Sequence, residues 1–207
     1  MTTWNEDRAL AEANAEVEAN PAPHGPNVAN AITDLLAALC VPVDEHTAET
    51  PGRAARMWLD LLAGEREDPR IHLQRTFPVD TDDPGLIVQS GIHLQSVCAH
   101  HLLPFVGTAT VAYRPSPGQQ VVGLSKLVRL VHGYAARLQI QERIGVQVTA
   151  ALRDVLRCAG AACLITATHD CMRLRGVRDG SAETTTASVV GHLTEGELAL
   201  VRAKHCG

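Results

Sequence analysis

Hydrophobic periodicity changes twice along the second half of the chain, and the order of these changes leaves few folds open. Four segments carry the β-forming residues or the alternation expected of strands, namely residues 86–95, 105–113, 163–169 and 184–193. Between the second and the third of them, residues 126–138 and 140–156 carry apolar side chains at helical spacing. The strand–strand–helix–helix–strand–strand order predicts an α+β domain built on an antiparallel sheet.

The first part of the chain predicts helices. Residues 1–27 end in a stretch rich in helix-breaking residues, and we expect a flexible or helical arm there. Helical spacing predicts one helix over residues 28–39 and a second that begins near Thr50. The chain therefore divides into an arm over residues 1–27, an N-terminal helical region over residues 28–85 and a main domain over residues 86–207.

Composition and charge exclude several classes of function. The net charge of −5 argues against broad binding to nucleic acid or to a membrane surface. A site for an anionic ligand must then be a local cluster of Arg and Lys. No apolar run approaches the length that spans a bilayer, and the N-terminal residues lack a signal-peptide core, so we expect a cytoplasmic protein. The six cysteines are then expected to be isolated thiols or metal ligands rather than disulfides.

Two short segments combine cysteine with histidine. Cys98 and His101 form a C-x-x-H pair, which can share one metal ion if the backbone turns between the first two strands. His169 and Cys171 are two residues apart on a predicted strand, so we expect them on the same face of the sheet. Either pair alone is more often part of a core. Together the pairs offer the donors that zinc prefers.

This donor set suits a catalytic zinc site better than a structural one. A closed structural site needs four ligands from paired knuckles, and the sequence has one knuckle-like pair. Three protein ligands would leave one position open for water. Histidines in excess of the ligands could then transfer protons beside the metal.

The chain resembles the GTP cyclohydrolase I family in a series of separate blocks that occur in the family's order. They are ETPGRAARMW (49–58), SVCAHHLLPF (96–105), VAYRP (111–115), GLSKLVRLV (123–131), QIQERI (139–144), ATHDCMRLRGV (167–177) and TTTAS (184–188). The resemblance covers roughly residues 28–193. No single block is decisive, whereas the whole series is very specific.

The resemblance implies a fold, an assembly and a reaction. The family's tunnelling fold has the same order of strands and helices, here with an N-terminal helical extension, and it makes residues 86–207 the catalytic domain. Family members assemble as toroidal homodecamers with active sites between subunits. With zinc as cofactor they open the guanine imidazole ring of GTP, release formate and form 7,8-dihydroneopterin triphosphate, a step of pterin and tetrahydrofolate biosynthesis.

Carried over residue by residue, the resemblance also implies the reacting groups. Zinc is expected on Cys98, His101 and Cys171. Two further histidines, His100 and His169, match the acid/base histidines of the family. They are expected to protonate the purine nitrogen and to assist ring opening.

The substrate ligands are implied in the same way. Glu142 is expected to anchor guanine, because a carboxylate can accept two hydrogen bonds from adjacent N–H groups. Several residues expected to contact the triphosphate lie at the start of a predicted helix, where backbone N–H groups and the helix dipole favour phosphate. Without the flanking blocks, each of these charged residues would more often be a solvated surface group. Gln141 is expected to support the base or the ribose. The residues expected to contact triphosphate are Ser125, Lys126, Arg129, Arg175, Arg53 and Arg56.

Two departures from the family pattern indicate a divergent paralogue. The family motif reads C-E-H-H, whereas this chain has Ala99 in place of the glutamate. Residues 194–207 lack the Arg-x-Glu-Phe pattern usual near the family's end.

Two alternatives to ordinary activity are therefore open. One is a related cyclohydrolase in a specialised pathway, with an altered substrate or a reaction that stops at the formamidopyrimidine. The other is a non-catalytic nucleotide-binding subunit. Retention of His100 and His169 disfavours the second alternative, because binding alone would not require them.

Overall fold

The first of the described residues form helices, as the sequence predicts. A computed structural model describes residues 24–207, so most of the arm predicted over residues 1–27 lies outside the described residues. Helices α1 (Gly25–Ala38) and α2 (Thr50–Leu61) pack against each other. Of the helices described, none is long and apolar enough to cross a membrane. Two short 3₁₀ helices then lead towards the sheet, Ala63–Arg66 and Pro69–Gln74.

The four strands that the sequence predicts form an antiparallel sheet, and the described residues add three further strands of two residues each. In chain order they are β1 (Thr76–Phe77), β2 (Ile87–Cys98), β3 (Pro104–Arg114), β4 (Val121–Val122), β5 (Leu138–Gln139), β6 (Gly160–His169) and β7 (Thr184–Gly191). Strands β1 and β4 form a separate pair, and the main sheet has the order β5-β2-β3-β6-β7. Neighbours in the main sheet are antiparallel except for β5, which pairs in parallel with the end of β2.

Helices α3 (Leu124–Ala135) and α4 (Gln141–Leu156) cover one face of the sheet and bury the main core. The core is mostly aliphatic, because only 3% of the residues in the chain are aromatic. Helix α3 ends at Ala135 rather than at residue 138, because β5 leaves the helix to pair with the end of β2. Fully buried side chains of this core include Leu94, Val111, Leu127, Leu130, Ile144, Val148, Leu152 and Ile165.

The opposite face is covered by a C-terminal helix that the patterns described above do not predict. After the single helical turn α5 (Asp170–Arg173) and strand β7, helix α6 (Glu195–Cys206) packs Val201 against the sheet. Its start is a capping box, in which the Thr194 side chain accepts from Glu197 N–H and the Glu197 carboxylate accepts from Thr194 N–H. The S/T-x-x-E spacing was the available sequence signal for this helix.

The two ends of the sheet carry different connections. At one end, which we name the Cys98 end, β2 ends, β3 begins and β6 ends, so that Phe105 pairs with His169. At the other, which we name the Tyr113 end, α3 begins, because Val122 N–H donates to Tyr113 Oη (3.0 Å) just before the helix. The eight steps from residue 105 to residue 113, at about 3.3 Å each, place the ends about 26 Å apart.

Candidate functional site

A tight turn between β2 and β3 brings His101 back beside Cys98. Leu102 N–H donates to Cys98 O (2.9 Å) and closes the turn. Leu102 has a left-handed backbone (φ 55°), a conformation that a turn this short imposes on one of its residues. Ala99 N–H donates to Gln139 O (2.9 Å), so β5 holds the start of the turn in place. The turn that a shared metal ion would need is therefore present.

Cys171 reaches the same place from β6, although not in the predicted manner. Strand β6 ends at His169, and Cys171 lies in the helical turn α5. The prediction that His169 and Cys171 lie on one strand face is wrong, because Cys171 has left the strand. The helical turn instead brings it to Cys98 and His101. The ligand atoms of the three residues lie within 4.8 Å of one another, and we name this group of three side chains the metal cluster.

The donor set of this cluster fits zinc. Two thiols and one imidazole are ligands of tetrahedral Zn²⁺ sites, and three protein ligands leave one position open. Burial raises the pKa of the Cys171 thiol, and the neighbouring Cys98 raises it further. A bound cation would counter this rise by stabilising the thiolate. Cys158 and Cys163 differ from this pair, because they lie in the core and burial raises their pKa values to about 11 and about 12.

His169 lies at the end of β6 and is held on two sides. Its ring stacks on Phe105, with the centroids 4.7 Å apart and the planes 11° from parallel. Its Nε2 donates to Gln141 Oε1 (2.8 Å). Burial lowers the pKa of His169, and the negative charge of Glu142 raises it to a smaller extent. Burial therefore favours the neutral form of this imidazole.

His100, the other expected acid/base histidine, is exposed on the turn after β2. Its Nδ1 lies 4.0 Å from Cys98 Sγ. Its ring meets the ring of His101 edge to face, with the centroids 6.2 Å apart. The two histidines expected to act as acid and base thus lie in different settings, one packed between neighbours and one in contact with solvent.

The first turn of α4 brings two expected substrate residues to the Cys98 end. Glu142 is exposed there, as a residue that binds a base must be before binding. Gln141 is only 1% exposed, and its side-chain nitrogen donates to main-chain oxygens of β6 and β7. Its side chain is therefore not placed to contact base or ribose, in contrast to the expectation from the sequence.

Arg175 also lies at the Cys98 end. Its Nη1 donates to His101 Nε2 (2.6 Å), so the guanidinium sits directly on one residue of the metal cluster. Arg175, one of the residues expected to bind triphosphate, therefore contacts the metal cluster.

The remaining expected substrate residues lie elsewhere. Ser125, Lys126 and Arg129 occupy the first two turns of α3, which begins at the Tyr113 end. Arg53 and Arg56 are exposed on α2, where Arg53 forms an ion pair with a glutamate one turn away (2.8 Å). The fold therefore divides the sequence-predicted site into a metal cluster at one end of the sheet and cationic groups away from it.

Two residues of the site had no role assigned from the sequence. Phe105 stacks on His169, and the Gln139 carbonyl fixes Ala99. The pairing of β3 with β6 places Phe105 opposite His169, so knowledge of that pairing would have revealed the first contact. Gln139 gave no such signal, because a strand of two residues is too short to show alternation.

Known proteins resemble this chain over most of its length. The family model described as GTP cyclohydrolase I matches residues 28–202, a range that includes every expected site residue. A protein named GTP cyclohydrolase 1 from Desulforamulus reducens is 41% identical over 179 residues, which are 86% of this chain and 94% of the relative. Another so named, from Streptomyces avermitilis, is 41% identical over 167 residues, or 80% of this chain and 82% of the relative.

Proposed function

The chain belongs to the GTP cyclohydrolase I family and is a hydrolase that acts on GTP, and we propose that Cys98, His101 and Cys171 hold the zinc ion of its reaction. The observation that carries this proposal is the convergence of their three ligand atoms within 4.8 Å. When bound by three protein ligands, zinc supplies a water molecule of lowered pKa at its open position. The reaction opens the guanine imidazole ring, releases formate and ends in 7,8-dihydroneopterin triphosphate.

His169 and His100 are the proton-transfer groups of the proposed mechanism. His169 is held in one orientation by its stacking and hydrogen-bond partners, as a general base or acid must be, and burial lowers its pKa. His100 follows Ala99 on the same turn as Cys98 and His101, and its exposed ring is open to contact by a substrate. The fixed ring and the exposed ring can thus act on different atoms of the substrate.

Glu142 is the proposed guanine anchor. It lies in the first turn of α4 and influences the pKa of His169, so its carboxylate and the imidazole share one neighbourhood. A carboxylate can accept hydrogen bonds from two adjacent N–H groups of guanine, whereas adenine lacks this pair of donors. The base would therefore be fixed beside the proton-transfer histidine.

The triphosphate contacts require a second copy of the chain. Ser125 and Lys126 lie in the first turn of α3, which begins at the Tyr113 end, whereas the metal cluster lies at the Cys98 end, about 26 Å away along the sheet. One nucleotide would therefore meet the metal cluster of one subunit and the start of α3 of another. Arg175, which already lies at the Cys98 end, would bind phosphate from the same subunit as the metal.

The open edges of the sheet also support an assembly of several copies of the chain. Among the described residues, the sheet leaves the outer edge of β7 and the edge of β2 before Val97 without a partner strand. Long open edges tend to pair with another chain, and pairing of two different edges closes into a ring when the rotation fits. A toroidal homodecamer, with residues 86–207 as the catalytic domain and residues 28–85 as a helical region around it, is the assembly we propose.

The product formed from GTP tests the function. The purified, zinc-loaded protein is incubated with GTP, and formate and pterin are followed separately. We expect formate in equal amount to a pterin that becomes fluorescent neopterin on oxidation. Formate without pterin would support a reaction that stops after ring opening. Absence of both products from protein that carries full zinc would refute the proposal.

A further inference from the structure

Gln141 is the first residue of α4, and its side-chain amide is fixed by the two strands beneath it. Gln141 Nε2 donates to Ile165 O (2.9 Å) on β6 and to Thr184 O (2.9 Å) on β7. It also lies 3.2 Å from Thr186 Oγ1. Main-chain carbonyl oxygens accept and never donate, so the amide nitrogen must face them. The orientation of this amide is therefore settled by its surroundings.

The fixed amide decides which nitrogen of His169 carries the proton. With its nitrogen turned to the strands, Gln141 presents Oε1 to the imidazole, and an amide oxygen can only accept. His169 Nε2, at 2.8 Å from that oxygen, must then be the protonated nitrogen. In a neutral imidazole the other nitrogen, Nδ1, carries the lone pair that can take up a proton.

Phe105 restricts the remaining freedom of the ring. A half-turn of His169 about its Cβ–Cγ bond would replace Nε2 by a carbon atom opposite Gln141 and would leave the buried amide oxygen without a donor. The stacked Phe105 ring, with its centroid 4.7 Å from the imidazole centroid, stabilises the present plane of the ring and opposes such a motion. The hydrogen bond thus selects one flip state, and the stacking holds the plane of the ring.

We infer that Gln141 is a positioning residue, which holds the His169 ring with a proton on Nε2 and leaves Nδ1 as the nitrogen that can meet the substrate. This inference rests on the proposed role of His169 in the reaction. It replaces the direct contact with base or ribose that the sequence suggested for Gln141. A positioning role predicts a loss in turnover without a loss in substrate binding.

Kinetics separate this role from substrate binding and from folding. Gln141→Met keeps the length of the side chain and removes both the donors and the acceptor. We expect kcat to fall about 10- to 100-fold, a fraction of what a general acid or base contributes, with KM for GTP unchanged. The matched control is Gln147→Met, which removes another buried amide of α4 that hydrogen-bonds Gln139 rather than a histidine, and which should change neither kcat nor KM.

A tautomer measurement tests the inference without any turnover. Magic-angle-spinning ¹⁵N NMR of the zinc-loaded, histidine-labelled protein distinguishes protonated from unprotonated ring nitrogens, and the signals of His169 are those missing from His169→Ala. We expect the Nε2–H form in the parent protein and a mixture of tautomers in Gln141→Met. If GTP is not turned over, the function proposed above fails, while the tautomer still decides the role of Gln141.

Three results would overturn the inference. The first is an Nδ1–H tautomer in the parent protein, which needs no variant and stands even if Gln141→Met does not fold. The second is a raised KM with kcat unchanged in Gln141→Met, which would mean direct contact with GTP. The third is an equal loss of kcat in Gln141→Met and Gln147→Met, which would mean that any buried amide of α4 matters only for folding.

Discussion

The Cys98 end and the Tyr113 end of the sheet differ in how much of a site one chain can build. At the Cys98 end, the three proposed metal ligands lie close together, an arginine contacts one of them, and His169 stacks on Phe105. At the Tyr113 end, the start of α3 offers exposed Ser125 and Arg129 with no metal ligand nearby. On the proposed function, the difference means that one chain supplies the reacting groups and the base anchor, whereas contacts of Ser125, Lys126 and Arg129 with triphosphate would depend on assembly.

The largest effect is expected from loss of a metal ligand at the Cys98 end. Cys171→Ser should lose zinc and lower activity by more than the roughly 100-fold typical of residues that only support a ligand. Helix content should be retained, because the cores on both faces of the sheet do not include this side chain as a buried member. Zinc analysis and circular dichroism check both statements. Cys206→Ser, at the exposed end of α6, is the control, and full zinc in Cys171→Ser would remove that residue from the ligand set.

Loss of the guanine anchor should have the next largest effect. Glu142→Ala is expected to weaken GTP binding by roughly 2–4 kcal/mol, because two N–H donors of the base lose a charged acceptor. Titration of GTP into the zinc-loaded protein measures this change. Glu195→Ala removes a glutamate from the first turn of α6 and should not alter binding. Competition by ATP as strong as that by GTP, in the parent protein, would contradict the assignment of Glu142.

The sequence predicts the order of the main elements better than the local turns that shape the Cys98 end. The order of elements follows from periodicity, because the core on one face of the sheet is large and regular. The C-terminal helix is missed, since Val201 is its only fully buried side chain and the apolar pattern is short. The turn that carries Cys171 is missed as well, because alternation along β6 continues up to His169 and gives no sign of where the strand stops.

The separation of the two ends lay beyond reach of the sequence for a different reason. Blocks that resemble a family show which residues serve one site, but not whether those residues come from one subunit. The answer depends on strand register, which places the start of α3 beside Tyr113 and not beside Cys98. Register depends on contacts between residues far apart in the chain, so local patterns do not reveal it.

Mixed assemblies test the comparison directly. Lys126→Ala damages the Tyr113 end and Cys171→Ser damages the Cys98 end, so each variant alone should have little activity at low GTP. If an active site combines opposite ends of two copies, co-expression in equal amounts should leave about a quarter of the sites intact in a closed ring. Formate release by the purified mixture, compared with each variant alone, measures this. No gain over the single variants would mean that both ends of one chain serve the same site, and it would contradict the division of each site between two copies.

The smallest effect is expected from Ala99, although it lies inside the motif at the Cys98 end. Its amide is fixed by Gln139 and its side chain is half-buried between Cys98 and His100, so a new side chain can turn outward without moving the turn. Ala99→Glu should therefore leave the product unchanged and alter the rate by at most about 10-fold, the low end for residues that border a metal ligand. Parent and variant are compared with zinc loaded, following formate and pterin separately. Ala99→Ser is the control for added polarity without charge. A change in which product accumulates, or activity that exists only in the glutamate variant, would show that Ala99 alters the chemistry and that the Cys98 end is incomplete in this chain.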